Sequence, residues 1–160
     1  MRFEQMTFEE QIKSLTRLHK RINKDFFDNK LKTIHIDIAS IKTEEHPDGI
    51  AKFTRNAVLF DQKTKSAYLG ECICFAWELV DCMAELKTQK EQALVAGGVM
   101  LHEMVHQYCF ENGIDDTNHG GRWEETAREH NLISIYRDGK QIEDNPSETA
   151  RLWFYNFYRL

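Results

Sequence analysis

The stretch TQKEQALVAGGVMLHEMVHQYCFENG, residues 88–113, decides how the chain folds. Thr88 and Glu91 form a capping box, the usual signal for the start of a helix, and Gly113 is typical of the position just after a helix end. Apolar residues recur between these signals at helical spacing, namely Leu94, Val95, Leu101, Val105 and Tyr108. The pattern predicts one long helix from about Lys90 to Asn112.

Two adjacent glycines, Gly97 and Gly98, interrupt this helix. Each costs about 1 kcal/mol relative to alanine in a helix interior. Such a cost is tolerated where another part of the fold must approach the helix closely. The glycine pair therefore predicts tight packing at this point, and we expect the packing partner to be the sheet.

A glutamate flanked by two histidines lies in the second half of the predicted helix, as His102, Glu103 and His106. Residues four apart share one helical face, so both imidazoles can reach one cation at about 2.0–2.1 Å. The Glu103 carboxylate then lies beside them, within reach of a water molecule that the cation activates. The spacing predicts two metal ligands and a general base. Ordinary helix residues without a metal are the alternative.

A catalytic zinc site needs a third protein ligand beside an open position. His119 is the favoured candidate, because the two glycines after it let the loop fold close to the metal. Other candidates stay open: Glu125, Glu129, His130 and Cys109. The metzincin pattern is excluded, since it needs glycine at position 109 and histidine at position 112, where the chain has Cys109 and Asn112.

The rest of the chain predicts helices around a small sheet. Thr7 and Glu10 form a second capping box before an amphipathic helix from Phe8 to Phe27, and apolar residues alternate over residues 34–38 as in a half-buried strand. Further strands are predicted at residues 50–54, 57–61 and 68–75, a short helix at 122–131, a hairpin at 133–142 and an aromatic helix from about 145 to 160. These elements predict an α+β fold with a mostly antiparallel sheet.

Length and composition predict a single domain over residues 1–160. The chain has 41% hydrophobic and 29% charged residues, which is typical of a globular protein. Its net charge of −5 argues against a surface that binds nucleic acid as a whole. A local basic face is still possible on the first helix, at Lys13, Arg17, Lys20, Arg21 and Lys24. This face is able to contact DNA phosphates, although solvated helix faces look the same.

Two further features bear on location and chemistry. The N-terminus lacks the apolar segment of a signal peptide, and the longest apolar run is far shorter than the ~20 residues that span a bilayer, so we expect a cytoplasmic protein without a membrane partner. The four cysteines form no C-x-x-C pair, which predicts free thiols. A C-terminal aromatic cluster predicts core packing, with a partner or membrane surface as the alternative: Trp153, Phe154, Tyr155, Phe157 and Tyr158.

Three stretches together resemble the SprT-like family, which includes bacterial SprT proteins and the metalloprotease domain of Spartan. They are RINKDFFDNKL at 21–31, LHEMVHQ at 101–107 and HGGRW at 119–123, and the resemblance covers roughly residues 18–131. It implies a zincin-like metalloprotease core in which the long helix packs on the sheet. It also implies that His102, His106 and His119 bind zinc and that Glu103 is catalytic.

Two departures from the family pattern bear on function. Trp123 stands where the family usually has phenylalanine, an exchange of one large aromatic residue for another. Many family members carry a cysteine-rich zinc ribbon or a DNA-binding extension after the core. Residues 133–160, the predicted hairpin and aromatic helix, contain no cysteine, so DNA targeting by such a ribbon is not expected.

The sequence thus predicts a zinc-dependent metallopeptidase that acts on proteins or peptides, and among them proteins associated with DNA are candidates. Glu103 would accept a proton from the metal-activated water and pass it to the leaving amine. We expect substrate to pair along an exposed strand edge at residues 68–75. Candidates for stabilising the oxyanion are Arg122, Tyr136 and Tyr155. A non-catalytic metal-binding or DNA-associated module is the alternative function.

Overall fold

The computed structural model describes residues 1–42, 49–120, 122–137 and 140–156, and within these ranges the side chains of 118, 134–137 and 140–144 are not described. In chain order the elements are α1 (Phe8–Phe26), β1 (His35–Ala39), β2 (Ala51–Asp61), β3 (Ser66–Ala76), α2 (Trp77–Ala84), α3 (Gln89–Glu111), α4 (Trp123–Glu129), β4 (Leu132–Arg137), β5 (Lys140–Pro146) and α5 (Glu148–Asn156). Helices are combined with a small mixed sheet and a separate hairpin, so the predicted α+β class is confirmed.

The three-stranded sheet has the order β1-β3-β2. β3 pairs antiparallel with β2 and parallel with β1, while β4 and β5 form a separate antiparallel ladder. Antiparallel pairing therefore predominates in the described residues, as predicted. The parallel β1–β3 pair was not predicted, because alternation of apolar residues indicates a strand without indicating its direction.

Strand β2 joins two segments that the sequence predicts as separate strands, 50–54 and 57–61. Its pairing with β3 shifts register between Thr54 and Ala57, where β2 has one residue more than β3. Such a bulge bends the strand and changes the direction of nearby side chains. The polar residues Arg55 and Asn56, which separate the two predicted strands, lie in this bulge.

The prediction that residues 68–75 form an exposed edge is wrong for residues 72–75, which have strands on both sides, whereas residues 68–71 have no partner in β1 among the described residues. β3 is the central strand, so residues 72–76 pair with β1 while residues 66–75 face β2 on the other side. Within the described ranges, the edges of this sheet are β1 and β2. A strand's place in the sheet depends on contacts between distant segments, which its own composition does not encode.

Helix α3 follows the prediction from its capping box to its end. Thr88 Oγ1 accepts a hydrogen bond from the backbone N–H of Glu91 at 3.1 Å, and Glu91 Oε2 accepts one from the N–H of Thr88 at 2.8 Å. The helix ends at Glu111, and Gly113 follows with a φ of +66°, a conformation that favours glycine. Both predicted boundaries of this helix are therefore within one residue of the observed ones.

The close approach that the glycine pair predicts is confirmed, but its partner is the C-terminal region and not the sheet. A Cβ atom at Gly97 would lie 2.4 Å from the ring of Phe154 on α5. One at Gly98 would lie 3.1 Å from Pro146 Cγ at the end of β5. Helix α5 therefore packs against α3 about one turn before the histidines begin.

One cluster of buried apolar residues joins α1, the sheet and α3. Its members include Leu15, Leu18 and Ile22 from α1, Ile36, Ile38, Ile73 and Phe75 from the sheet, and Met100, Leu101, Met104 and Val105 from α3. Burial of each such side chain contributes roughly 1.5–3 kcal/mol. The residues between and around the two histidines of α3 thus fix the orientation of that helix.

The C-terminal region differs from the prediction in where its helix begins. Asn145 and Pro146 were expected to open the helix, but they pair with β4 at the end of β5. Ser147 caps the helix, since its Oγ accepts a hydrogen bond from the N–H of Ala150 at 3.2 Å. Phe154 is fully buried, as predicted, and Trp153 Nε1 donates to Asp25 Oδ2 at 2.8 Å. Residues 157–160, with the remaining two aromatic residues, lie outside the described ranges.

Two further findings concern the helices. Helix α2 was not predicted, because Ala76 at its N-cap supplies no side-chain hydrogen bond and so gives no sequence signal. In the part of the chain that the structure describes, no helix has the length and apolar character that crossing a bilayer requires.

Candidate metal centre

His102 and His106 lie one turn apart on α3, and both side chains are partly exposed. Met104 and Val105, which stand between them in the sequence, are fully buried in the core. The face of α3 that carries Met104 and Val105 therefore packs in the core, and the two imidazoles lie together on a different, partly exposed face. Their ring centroids are 5.1 Å apart.

His119 reaches the same place from the loop after α3. It ends a short 3-10 turn, Thr117–His119, with a φ of +56°, and Gly120 follows it. Its Nε2 lies 3.2 Å from Nε2 of His102 and 3.0 Å from Nε2 of His106. The structure thus brings together the three histidines that the sequence analysis favoured.

The spacing of these nitrogens fits a single metal ion. One ligand atom from each histidine lies within 4.8 Å of the other two, so the group could hold a metal ion. Nitrogens bound to one zinc at about 2.0–2.1 Å in tetrahedral geometry are about 3.3–3.4 Å apart. The distances of 3.0 and 3.2 Å from His119 Nε2 to the Nε2 atoms of His106 and His102 are close to that separation.

Asp116 fixes the tautomer of His106. Its Oδ2 lies 2.6 Å from His106 Nδ1, and since a carboxylate only accepts, the hydrogen resides on Nδ1. The lone pair of His106 is therefore on Nε2, the atom that faces the other two histidines. Carboxylates commonly orient metal-binding histidines in this way.

Asp116 is itself buried and held by a second partner. Arg55 Nη2 donates to its Oδ1 at 3.1 Å. Burial alone would raise the pKa of Asp116, but the hydrogen bond from His106 and the charges of His106 and Arg55 outweigh it and keep the pKa below its usual value. The carboxylate is therefore ionised at neutral pH.

The surroundings of His119 favour the neutral imidazole that binds metals. Burial, followed by the proximity of His106 and His102, lowers the pKa of His119 to about 3. The buried indole of Trp123 packs against all three rings and is stacked on His106 with 4.1 Å between centroids. Trp123, the aromatic residue of the HGGRW stretch, thus provides an apolar surface beside the three histidines.

Glu103 is buried beside strand β2. Its Oε2 accepts a hydrogen bond from the backbone N–H of Phe53 at 2.7 Å, which orients the carboxylate. The ring of Phe53 contacts Phe110, about two helical turns after Glu103 on α3. The guanidinium of Arg55 lies 5.0 Å from the centroid of the same Phe110 ring. The edge strand β2 is therefore bound to the histidine helix at Glu103 and to the loop after that helix at Asp116.

None of the alternative third ligands belongs to the histidine group in the described residues. Glu125 is exposed and accepts a hydrogen bond from Arg122 Nε at 3.1 Å. His130 is buried, donates through Nδ1 to the carbonyl of Thr126 at 2.8 Å and stacks on Phe27. Two further candidates do not belong to the metal-binding group in the described residues: Glu129, which is exposed, and Cys109, whose burial raises its thiol pKa to about 11.

The candidates for oxyanion stabilisation and DNA contact remain predictions. Arg122 is exposed in its ion pair with Glu125, Tyr155 is on α5, and the side chain of Tyr136 lies outside the described residues. All five basic residues of α1 are exposed: Lys13, Arg17, Lys20, Arg21 and Lys24. Lys13 forms an ion pair with Glu9 at 2.6 Å, as expected of a solvated helix face.

Three residues that contact the candidate site were missed at the sequence level, namely Phe53, Arg55 and Asp116. Phe53 contributes only its backbone N–H, which no side-chain pattern indicates. Asp116 lies three residues before His119 in a loop, and only its proximity to that histidine could have drawn attention to it. Comparison of the chain with protein-family models, curated proteins and solved structures found no match.

Proposed function

We propose that the chain is a zinc-dependent metallopeptidase with a zincin-type core, related to the SprT-like family. The observation that carries the proposal is the convergence of three imidazole Nε2 atoms, two of them from the helix that also carries the buried Glu103. Three nitrogen ligands with a general base nearby are characteristic of catalytic zinc sites, which keep one position open. The long helix α3 alongside the edge strand β2 supports a zincin-type arrangement.

Zinc is the metal that suits these donors best. Imidazole is a ligand of zinc, copper, iron and nickel, whereas magnesium and calcium prefer oxygen. Zinc brings no redox chemistry, and when bound it lowers the pKa of a coordinated water toward ~7 and polarises a carbonyl group. Asp116 supports His106 as a ligand by holding its Nδ1 hydrogen.

Glu103 is the proposed proton carrier. The N–H of Phe53 fixes its Oε2, so the carboxylate stays oriented through the reaction. In peptide hydrolysis the water oxygen bonds to the carbonyl carbon and the water proton passes to Glu103. Glu103 then delivers that proton to the amide nitrogen as the C–N bond breaks.

Substrate would enter along β2, not β3 as the sequence suggested. Among the described residues β2 is an edge of the sheet, and it lies directly beside Glu103. An extended peptide that pairs with an exposed strand edge gains backbone hydrogen bonds without a specific sequence. A protein or peptide substrate is therefore proposed, and association with DNA through the α1 face remains a separate prediction.

The metal assignment is tested by elemental analysis of protein purified without added metal. We expect about one zinc per chain in the wild type and loss of that zinc in His119→Ala. His35→Ala is the matched control, since His35 is exposed on β1, outside the histidine group. Undiminished zinc in His119→Ala would contradict the ligand set and point to Glu125 or Glu129.

Catalysis is tested with Glu103→Gln, which keeps the shape of the side chain and an acceptor for the Phe53 N–H. We expect normal zinc content and loss of cleavage of dye-quenched casein by at least 100-fold, the lower range for a general base. The alternative function is a metal-binding module without turnover. The observation that supports it is the burial of Glu103 and its hydrogen bond to Phe53, because both also suit a structural role of this carboxylate. Zinc binding with no cleavage by the wild type would support that alternative.

A further inference from the structure

Three apolar side chains form an exposed patch on the β2–β3 hairpin, and we call it the apolar shelf: Val58, Phe60 and Leu69. Their exposed fractions are 76%, 55% and 67%. Val58 lies directly opposite Leu69 in the ladder, and Phe60 is two residues further along β2, so all three are on one face of the hairpin.

The apolar shelf continues the face of the sheet that packs in the core. On β3, Leu69 and Ile73 share a face because they are four residues apart, yet Ile73 is fully buried. Between them, Glu71 is partly buried, and burial followed by the charge of Glu111 raises its pKa. Glu111 is the last residue of α3. The hairpin therefore extends past the end of α3 with its core-facing side uncovered.

The apolar shelf adjoins the candidate metal centre through Arg55. Phe53 and Arg55 share the same face of β2 and contact Phe110, and Arg55 also holds Asp116 beside the histidines. Val58 follows Arg55 by three residues across the bulge, a distance of at most about 10 Å along the strand. A chain in extended conformation along β2 would contact both the apolar shelf and the histidines.

We propose that the apolar shelf binds an extended, apolar segment of an unfolded polypeptide, and so selects the substrates of the neighbouring site. This inference rests on the proposed peptidase function. Among the described residues β2 is an edge of the sheet, and past Phe53, whose N–H is bound to Glu103, it offers backbone pairing beside the apolar side chains, which suits a strand-like ligand. The exposed area is on the order of a few hundred Å², against about 800 Å² per partner in a stable interface, so a second copy of the chain is a poorer occupant.

The test measures binding apart from cleavage. Glu103→Gln protein loaded with zinc is titrated against fluorescein-labelled serum albumin that has been reduced and carboxymethylated to keep it unfolded, with anisotropy as the readout. In this background we expect Val58→Ser with Leu69→Ser to weaken binding about tenfold, since two exposed apolar contacts are lost. Leu152→Ser is the matched control, because Leu152 is 58% exposed on α5, outside the hairpin.

Several outcomes would overturn the proposal. The first is an unchanged affinity for albumin in the double variant, and the second is a loss of albumin affinity in Leu152→Ser that equals the loss in the double variant. The third is a wild type that does not bind albumin but self-associates, or binds phosphatidylglycerol vesicles, through the residues of the apolar shelf. Thermal unfolding checks that the double variant folds. If the shelf-dependent binding holds but the wild type cleaves nothing, the apolar shelf stands and the peptidase function fails. The same two substitutions are also made with Glu103 intact; if that variant and the wild type cleave casein with the same KM, the peptidase function stands and the role of the apolar shelf fails.

Discussion

Replacement of Asp116 by asparagine should weaken zinc binding by 10- to 100-fold, the usual effect of removing a partner of a metal-binding histidine. The carboxylate accepts one hydrogen bond from His106 at 2.6 Å and another from Arg55 at 3.1 Å. Asparagine has one acceptor oxygen, so its amide N–H₂ would face one of these two donors. The orientation of His106 and the negative charge behind it would both be lost.

The expected loss corresponds to roughly 1.4–2.7 kcal/mol, which agrees with the ~1.5–3 kcal/mol of a hydrogen bond to a charged group. The side chain of Arg55 is half exposed, so solvent screens its charge, and its ion pair with Asp116 should contribute less to zinc binding than the hydrogen bond to His106 does. Arg55→Ala should therefore weaken zinc binding much less than Asp116→Asn does.

The assay is competition for zinc between the protein and a chromophoric chelator at pH 7.5. Asp115→Asn is the matched control, because it removes the same charge one residue away, and its oxygen can still accept the N–H of Thr117, as Asp115 does at 3.0 Å. Zinc affinity within twofold of the wild type in Asp116→Asn, or an equal loss in Asp115→Asn, would refute the assignment of Asp116 as the residue that orients His106.

Three further predictions concern stability. Gly97→Ala should lower the free energy of unfolding by about 1–3 kcal/mol in urea denaturation, because its Cβ would lie 2.4 Å from the Phe154 ring, and Gly98→Ala should cost less, since its nearest neighbour is 3.1 Å away. Burial lowers the pKa of His19 below 6.5, so as the pH falls below 6.5 the unfolded chain takes up a proton before the folded chain does, and the free energy of unfolding decreases. His19→Gln should reduce this pH dependence, as urea denaturation at a series of pH values below 6.5 would show. Zinc at 100 times its Kd should stabilise the wild type by about 2.7 kcal/mol but not His119→Ala, as thermal unfolding with and without chelator would reveal.

Local signals predicted much of the fold and the histidine group. The capping boxes at Thr7 and Thr88 and the four-residue spacing of His102 and His106 act over a few residues, where helix geometry fixes the outcome. His119 was within reach of the same reasoning, because a glycine-flanked loop shortly after a helix end returns near that helix. The prediction succeeded where sequence distance and spatial distance are linked by one turn or one short loop.

Long-range contacts could not be predicted in this way. Glu103 meets the N–H of Phe53 across 50 residues, and Asp116 meets Arg55 across 61 residues. Both contacts depend on β2 lying at the sheet edge beside α3, and strand order is a property of the whole sheet. The bulge that places Arg55 was read as a break between strands, because polar residues in a strand resemble a turn.

The contacts among the three imidazoles are themselves an argument for a cation. The bond to Asp116 keeps the hydrogen of His106 on Nδ1, so His106 Nε2 presents a lone pair toward His119 at 3.0 Å. His119 Nε2 also lies 3.2 Å from His102 Nε2. In any neutral tautomer of His102 and His119, at most one of these contacts is a well-directed hydrogen bond, since one ring nitrogen offers either one hydrogen or one lone pair. A cation would let all three nitrogens direct their lone pairs to one point, so that contacts which compete as hydrogen bonds would become compatible around a metal ion.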